Sequence, residues 1–173
     1  MSFDGNAFGK VACQFGIMFF PEKARAFSEF ARVLKPGGVL VYNVWDSLEN
    51  NPIVGIAHRT ITSLFESDPP NFLEVPFGFN NIDSNLALID GAGLEIRDVE
   101  TVSETIEQVS AHNIATGFVE GNPGILQIRE RATVKPQESI AALAKAIENS
   151  YGSHGGTSCA WHSQFQTPAL LAY

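Results

Sequence analysis

Glu29-Phe30-Ala31-Arg32-Val33-Leu34-Lys35-Pro36-Gly37-Gly38-Val39-Leu40-Val41-Tyr42-Asn43-Val44-Trp45 is the stretch on which the fold turns. It begins inside a helix. Ala24, Phe27, Ala31 and Leu34 share one face, Phe30 and Val33 flank it, and Lys23, Arg25, Glu29 and Arg32 lie largely outside it. Pro21 opens that helix, where its missing N–H costs nothing. Pro36-Gly37-Gly38 ends it, because proline cannot continue a helix and glycine accepts the left-handed cap. Val39 to Trp45 is then a nearly unbroken apolar run, the pattern of a strand buried on both faces. Upstream, Val11 to Phe15 is another short apolar run, broken by Gly16. Strand, helix, strand in this order predicts a right-handed parallel crossover.

Downstream, Ile53 to Phe65 has helical spacing (Ile53, Ile56, Ala57, Thr60, Ile61, Leu64) until Asp68-Pro69-Pro70 stops it. Phe72 to Phe79, with Pro76 and Gly78, reads as an aromatic loop without regular structure. Asp83 is the expected N-cap of a helix through Leu86 to Ile89, closed by Gly91 and Gly93. Glu95 to Val109 alternates for much of its length, as a half-exposed strand does. Ser110 to Glu120 and Ile125 to Arg131 predict two short helices, and Gln137 to Tyr151 a longer one striped by Ile140, Leu143, Ala144, Ile147 and Tyr151. Thr157 to Tyr173 reads as a strand or hairpin arm, with Pro168 at an edge or bulge. Without repeats or a linker, residues 1–173 read as one α/β domain.

Charge narrows the partners. Eleven Lys and Arg against nineteen Asp and Glu give a net charge of -8. Such a surface repels phosphate backbones and anionic lipid, so neither nucleic acid nor a membrane is an expected partner. Cys13 and Cys159 are too few for a disulfide framework and read as small buried hydrophobes. Val11 to Phe20 lacks the flanks of a signal peptide, no apolar run reaches spanning length, and the expected location is cytoplasmic.

The motifs for common chemistries are thin. Gly91-Ala92-Gly93 follows a helix and precedes a strand, the reverse of a dinucleotide-binding turn, and reads as a helix C-cap. Cys159 and His162, with His154 upstream, have metal-like spacing, but in a strand the first two point to opposite faces and a fourth ligand is not apparent; no metal is expected. His58 has two readings: an exposed or edge histidine, or a polar group facing a substrate pocket as a candidate general base. Cys13 has no basic sequence neighbour to activate it, and G-x-S-x-G is absent.

Phe8 to Asp46 resembles the class I S-adenosylmethionine-dependent methyltransferases, particularly the bacterial ubiquinone/menaquinone C-methyltransferase-like enzymes. The likeness is carried by Val11-Ala12-Cys13-Gln14-Phe15-Gly16-Ile17-Met18-Phe19-Phe20-Pro21-Glu22 and by Glu29 to Leu40, above all Arg32-Val33-Leu34-Lys35-Pro36-Gly37-Gly38. Asn43-Val44-Trp45-Asp46 fits the end of the next strand, and Leu86 to Leu94 the following helix–strand step. Met1-Ser2-Phe3 already matches the segment before the family's fourth strand, and Gly9 replaces the Asp common there. The resemblance thus implies a partial Rossmann-like fold holding the family's strands in the order 4-5-7-6, with strand 7, the last in sequence, antiparallel between its neighbours, and without the N-terminal cofactor-binding strands.

That resemblance implies a truncated or split enzyme transferring a methyl group to a small molecule. S-adenosylmethionine would be its cofactor only if the missing half is supplied, and the isolated chain would be inactive. Carried over by position, Gln14, Phe15 and Met18 would wall the methionine end of the cofactor, and Phe19, Trp45 and His58 would line the substrate side. A homodimer or heteromer through the exposed edge of residues 11–15 is expected. The competing expectation is a non-catalytic, methyltransferase-like remnant acting as an interaction module.

Overall fold

The computed structural model of the chain describes residues 2–105, 109–152 and 162–167. Two compact units alternate along the chain, with boundaries at Ser47/Leu48, Glu74/Val75, Ser103/Glu104 and Ser163/Gln164.

The first unit is built on β1 (Phe8–Gln14), α1 (Lys23–Val33) and β2 (Leu34–Trp45), with a 3-10 turn at Ile17–Phe19. β1 and β2 pair in parallel through Val11↔Leu40, Ala12↔Val41, Cys13↔Tyr42 and Gln14↔Asn43. The helix differs from its sequence reading in three ways. It starts at Lys23, not at Pro21, and ends at Val33, because Leu34 is already extended (φ -73°, ψ 140°) and pairs with Phe8. Its buried face is Ala26, Phe27, Phe30 and Val33, while Ala24 is exposed. The stripe is rotated because both rings are drawn to the core: Phe27 meets Phe30 and Tyr42 edge-on, at 6.0 and 5.3 Å between centroids.

β2 begins before the proline and glycines. The step from Phe8 to Lys10 on β1 spans Leu34 to Val39 on β2, so Lys35 to Gly38 lie outside the regular pairing. Gly37 sits at φ +74°, and a Cβ on Gly38 would fall 2.8 Å from the Lys35 carbonyl oxygen.

α4 (Ile82–Gly91), which follows a single turn α3 (Glu74–Phe77), packs against α1. That single turn corrects the expectation of a purely irregular aromatic segment. The N-cap of α4 is Asn81, whose side chain accepts the Ser84 N–H at 2.8 Å; Asp83 lies in the first turn instead, where a carboxylate still favours the helix dipole. Gly93, at φ +72°, follows the helix end. The core is Ile17, Met18, Phe27, Leu40, Tyr42, Val44 and Ile89, each 2% exposed or less, with their neighbours. Within it the Tyr42 hydroxyl donates to Asn85 Oδ1 at 3.2 Å, as a buried polar pair must. The four strands are ordered β1-β2-β4-β3, where β3 is Glu100–Thr105 and β4 is His162–Thr167. β4 runs antiparallel to β2. β3 is shorter than the alternation from Glu95 to Val109 suggested: residues 95–99 and 109 are irregular, and residues 106–108 are outside the described residues.

The second unit is helical: α2 (Pro52–Ser63), α5 (Ala111–Glu120), α6 (Gly124–Arg131) and α7 (Pro136–Tyr151). α7 packs on α2, α5 and α6, and Ile140, Leu143, Ala144 and Ile147, four of the five residues of the stripe read from the sequence, are buried, whereas Tyr151 is partly exposed. Among the described residues, no helix is long and apolar enough to cross a membrane.

Candidate functional site

Because β1 and β2 are parallel, their carboxyl ends lie side by side, with Gln14 opposite Asn43. In open α/β sheets, ligands bind in the crevice outside such ends. The chain leaves β1 through Phe15, a non-glycine residue in the left-handed region at φ 48°. Such a conformation costs on the order of 1–3 kcal/mol and needs its surroundings to hold it. Here the Phe15 N–H donates to Asn43 Oδ1 at 2.8 Å. Its ring stacks on Trp45, with centroids 4.5 Å and planes 17° apart. Trp45 packs in turn on Phe77, 5.6 Å away and tilted by 30°. The result is an aromatic wall at the strand ends.

Around this wall the sequence-predicted residues divide. Gln14 is exposed at the last position of β1. Phe19 is 49% exposed in the turn that follows. Met18 is 2% exposed and belongs to the core. Asp46, just past β2, is 5% exposed, and its carboxylate accepts the Ser47 N–H at 2.6 Å. Burial pushes the Cys13 thiol up from its ordinary range, against hydrogen bonds with the Ile17 and Gly16 backbone, so it is no activated nucleophile. Sequence reasoning missed the roles of Asn43 and Phe77. Asn43 did carry a signal, being the polar interruption of an apolar strand; nothing distinguished Phe77 from its aromatic neighbours.

His58 lies in the second unit, on α2, lining an apolar pocket with Ile61, Phe72, Phe118 and Ile128. Its Nε2 is 3.5 Å from Glu74 Oε1. The described residues contain no group of three or more His, Cys, Asp or Glu placed for a metal. Cys159 and His154 fall outside the described residues, and so does the side chain of His162.

Residues 1–42 match the family model of the methyltransferase domain. A Bacillus halodurans protein assigned as a methyltransferase shares the fold with a TM-score of 0.54 at 16% identity, over 96% of this chain and 65% of its own. The YcgJ protein of Bacillus subtilis gives 0.50 at 14% identity, over 96% of this chain and 64% of its own. These likenesses establish an α/β, methyltransferase-like fold. The chain spans less than two thirds of the length of either relative. No curated protein matches it by sequence.

Proposed function

We propose that the chain carries the acceptor side of an S-adenosylmethionine-dependent methyltransferase domain acting on a small molecule. A further polypeptide segment would supply the ribose- and adenine-binding side. The observation that carries this reading is the wall formed by Phe15, Asn43 and Trp45 at the paired strand ends, where the crevice of such a sheet belongs. The family match over residues 1–42, which takes in β1 and Phe15, supports it. The strand order β1-β2-β4-β3 supports equating these strands with the fourth, fifth, seventh and sixth of the methyltransferase sheet.

The residues present fit one end of the cofactor. When bound, the cofactor supplies an electrophilic methyl on a sulfonium. Phe15 and Trp45 exclude water beside that centre, and the Gln14 amide offers polar contacts at the end of β1. Met18 supports the turn from the core, and Phe19 meets the acceptor. Asp46, just past β2, accepts the Ser47 N–H. Alignment and water exclusion account for most of what methyl transfer asks of a protein. The complementing segment adds along β1, which pairs only with β2 among the described residues and stands at the edge of the sheet.

Calorimetry with S-adenosylhomocysteine tests the reading on this chain alone and on the chain mixed with the polypeptide encoded immediately upstream. Micromolar binding by the mixture only is the expected result. Micromolar binding by the chain alone would overturn the division of the site, and none by either would overturn the methyl-transfer reading.

A further inference from the structure

The pocket in the second unit is lined by none of the residues of the Phe15, Asn43 and Trp45 wall. Residues 68–74 form a strap that α6 clamps at successive turns. Gln127 Oε1 accepts the N–H groups of both Asn71 and Phe72 at 3.0 Å, and its Nε2 donates to Asn71 Oδ1 at 3.3 Å. Arg131 donates to the Asp68 backbone carbonyl and carboxylate and to the Gln127 carbonyl. The clamp fixes the backbone at Phe72, which with Leu73, His58, Phe118 and Ile128 lines the pocket. A site held this firmly is preorganised.

Its chemistry is narrow. The cavity measures about 20 Å³, enough for one or two waters. The lining is mostly apolar, and its one polar side chain besides His58, that of Asn122, is used internally: Oδ1 accepts the Gly124 N–H at 2.8 Å and Nδ2 donates to the Phe118 carbonyl. Beside His58 stands the carboxylate of Glu74, 59% exposed and 3.5 Å from Nε2. No Lys or Arg among the described residues forms an ion pair with it.

An apolar chamber this small, walled by two phenyl groups and by an imidazole that is paired with the Glu74 carboxylate outside the lining, complements a small alkylammonium whose charged end reaches toward Glu74. The alkyl part takes the apolar room, aromatic surfaces attract the cation, and Glu74 attracts its charge. A neutral alcohol of the same size uses only the first of these, and an anion is repelled. We infer that the second unit is a binding site for a small alkylammonium group, with Glu74 setting the preference for positive charge.

NMR titration of the chain with ethylammonium chloride, ethanol and sodium acetate tests this without any cofactor. Ionic strength is held high and fixed, which screens the general attraction of a chain of net charge -8 for cations, and Glu74→Gln, which changes that net charge by only one, separates what remains from the local contribution of Glu74. Saturable shifts confined to His58, Phe72, Phe118 and Ile128 are expected. Ethylammonium should bind about fivefold or more tightly than ethanol, and acetate should not bind. Glu74→Gln, a change at an exposed side chain, should abolish that ratio while leaving the unliganded spectrum and ethanol binding unchanged. Equal binding of ethylammonium and ethanol, shifts scattered over the surface, no saturation, or a ratio that survives Glu74→Gln would each overturn the inference.

Discussion

The backbone N–H of Phe15 donates to the side chain of Asn43, 28 residues away in sequence, at 2.8 Å. This one bond ties the exit of β1 to the end of β2 and holds Phe15 left-handed. A polar side chain in an apolar strand is thus used to shape a turn, and the turn aims the ring of Phe15 at Trp45.

Asn43→Leu keeps the size and removes the acceptor, so stability should fall by about 1–3 kcal/mol. Phe15→Gly and Phe15→Ala both lose the stacking, but only glycine is relieved of the left-handed backbone. Glycine should therefore be the more stable of the two by about 1 kcal/mol, inverting the usual order. Urea unfolding followed by Trp45 fluorescence in a Trp161→Phe background measures both.

Burial raises the Tyr42 phenol well above its ordinary value. The unfolded chain therefore ionises first, from about pH 10, and binds fewer protons than the folded one. Stability should be fully present below that pH and fall as pH rises above it. Tyr42→Phe should flatten the alkaline fall. It should also cost about 1–3 kcal/mol at neutral pH, by leaving Asn85 Oδ1 without its donor. Denaturant unfolding from pH 7 to 11 checks both.

Glu29 and Arg32 pair through two bonds, Nε to Oε1 at 2.7 Å and Nη2 to Oε2 at 2.9 Å. Hydrogen bonding from Arg32 leads in lowering the Glu29 carboxyl to about 2. Whatever stability this contributes is present above the ordinary carboxylate range and is lost as pH falls toward 2. In an NMR titration, Arg32→Gln should return the Glu29 midpoint toward ordinary values. An unchanged midpoint would remove Arg32 as the cause.

Gln127→Ala should release the strap without unfolding α7. Hydrogen exchange should accelerate at the Asn71 and Phe72 amides, which donate to Gln127, and stay slow at Leu143 and Ile147 in the core. Uniform acceleration would mean that Gln127 supports the unit globally.

The proposed pairing along β1 is open to a charge probe. Ala12 is exposed on that strand, whereas Cys13 packs against the core. Ala12→Lys should therefore weaken association with a complementing segment, or self-association, without disturbing the fold. Light scattering and sedimentation report it. Association unaltered by the lysine would place the contact elsewhere.

The crossover of β1, α1 and β2 was legible in the sequence because an apolar run, an amphipathic stretch and a second apolar run are punctuated by Gly16 and Pro36-Gly37-Gly38. The stripe of α7 was legible for the same reason of period. The orientation of α1 was not, because period alone does not say that Phe27 and Phe30 will be claimed by Tyr42. Asn81 took the cap expected of Asp83, since either can accept an amide hydrogen bond and the turn before the helix chose between them. In the candidate site, Gln14, Phe15 and Trp45 were named from the sequence. The Asn43 bond, the Phe77 contact and the clamp on the strap join residues far apart in sequence, and no local pattern announces them.

Gly37 and Gly38 carry one more consequence. One has a positive φ and the other no space for a side chain, so both are demanded by backbone geometry at the amino end of β2. The aromatic wall stands at the opposite end of that strand. The Pro-Gly-Gly signature, the most recognisable feature of this chain, is therefore a hallmark of architecture. Its presence in another sequence marks where the regular pairing of such a strand resumes, and says nothing about whether an enzyme is at work.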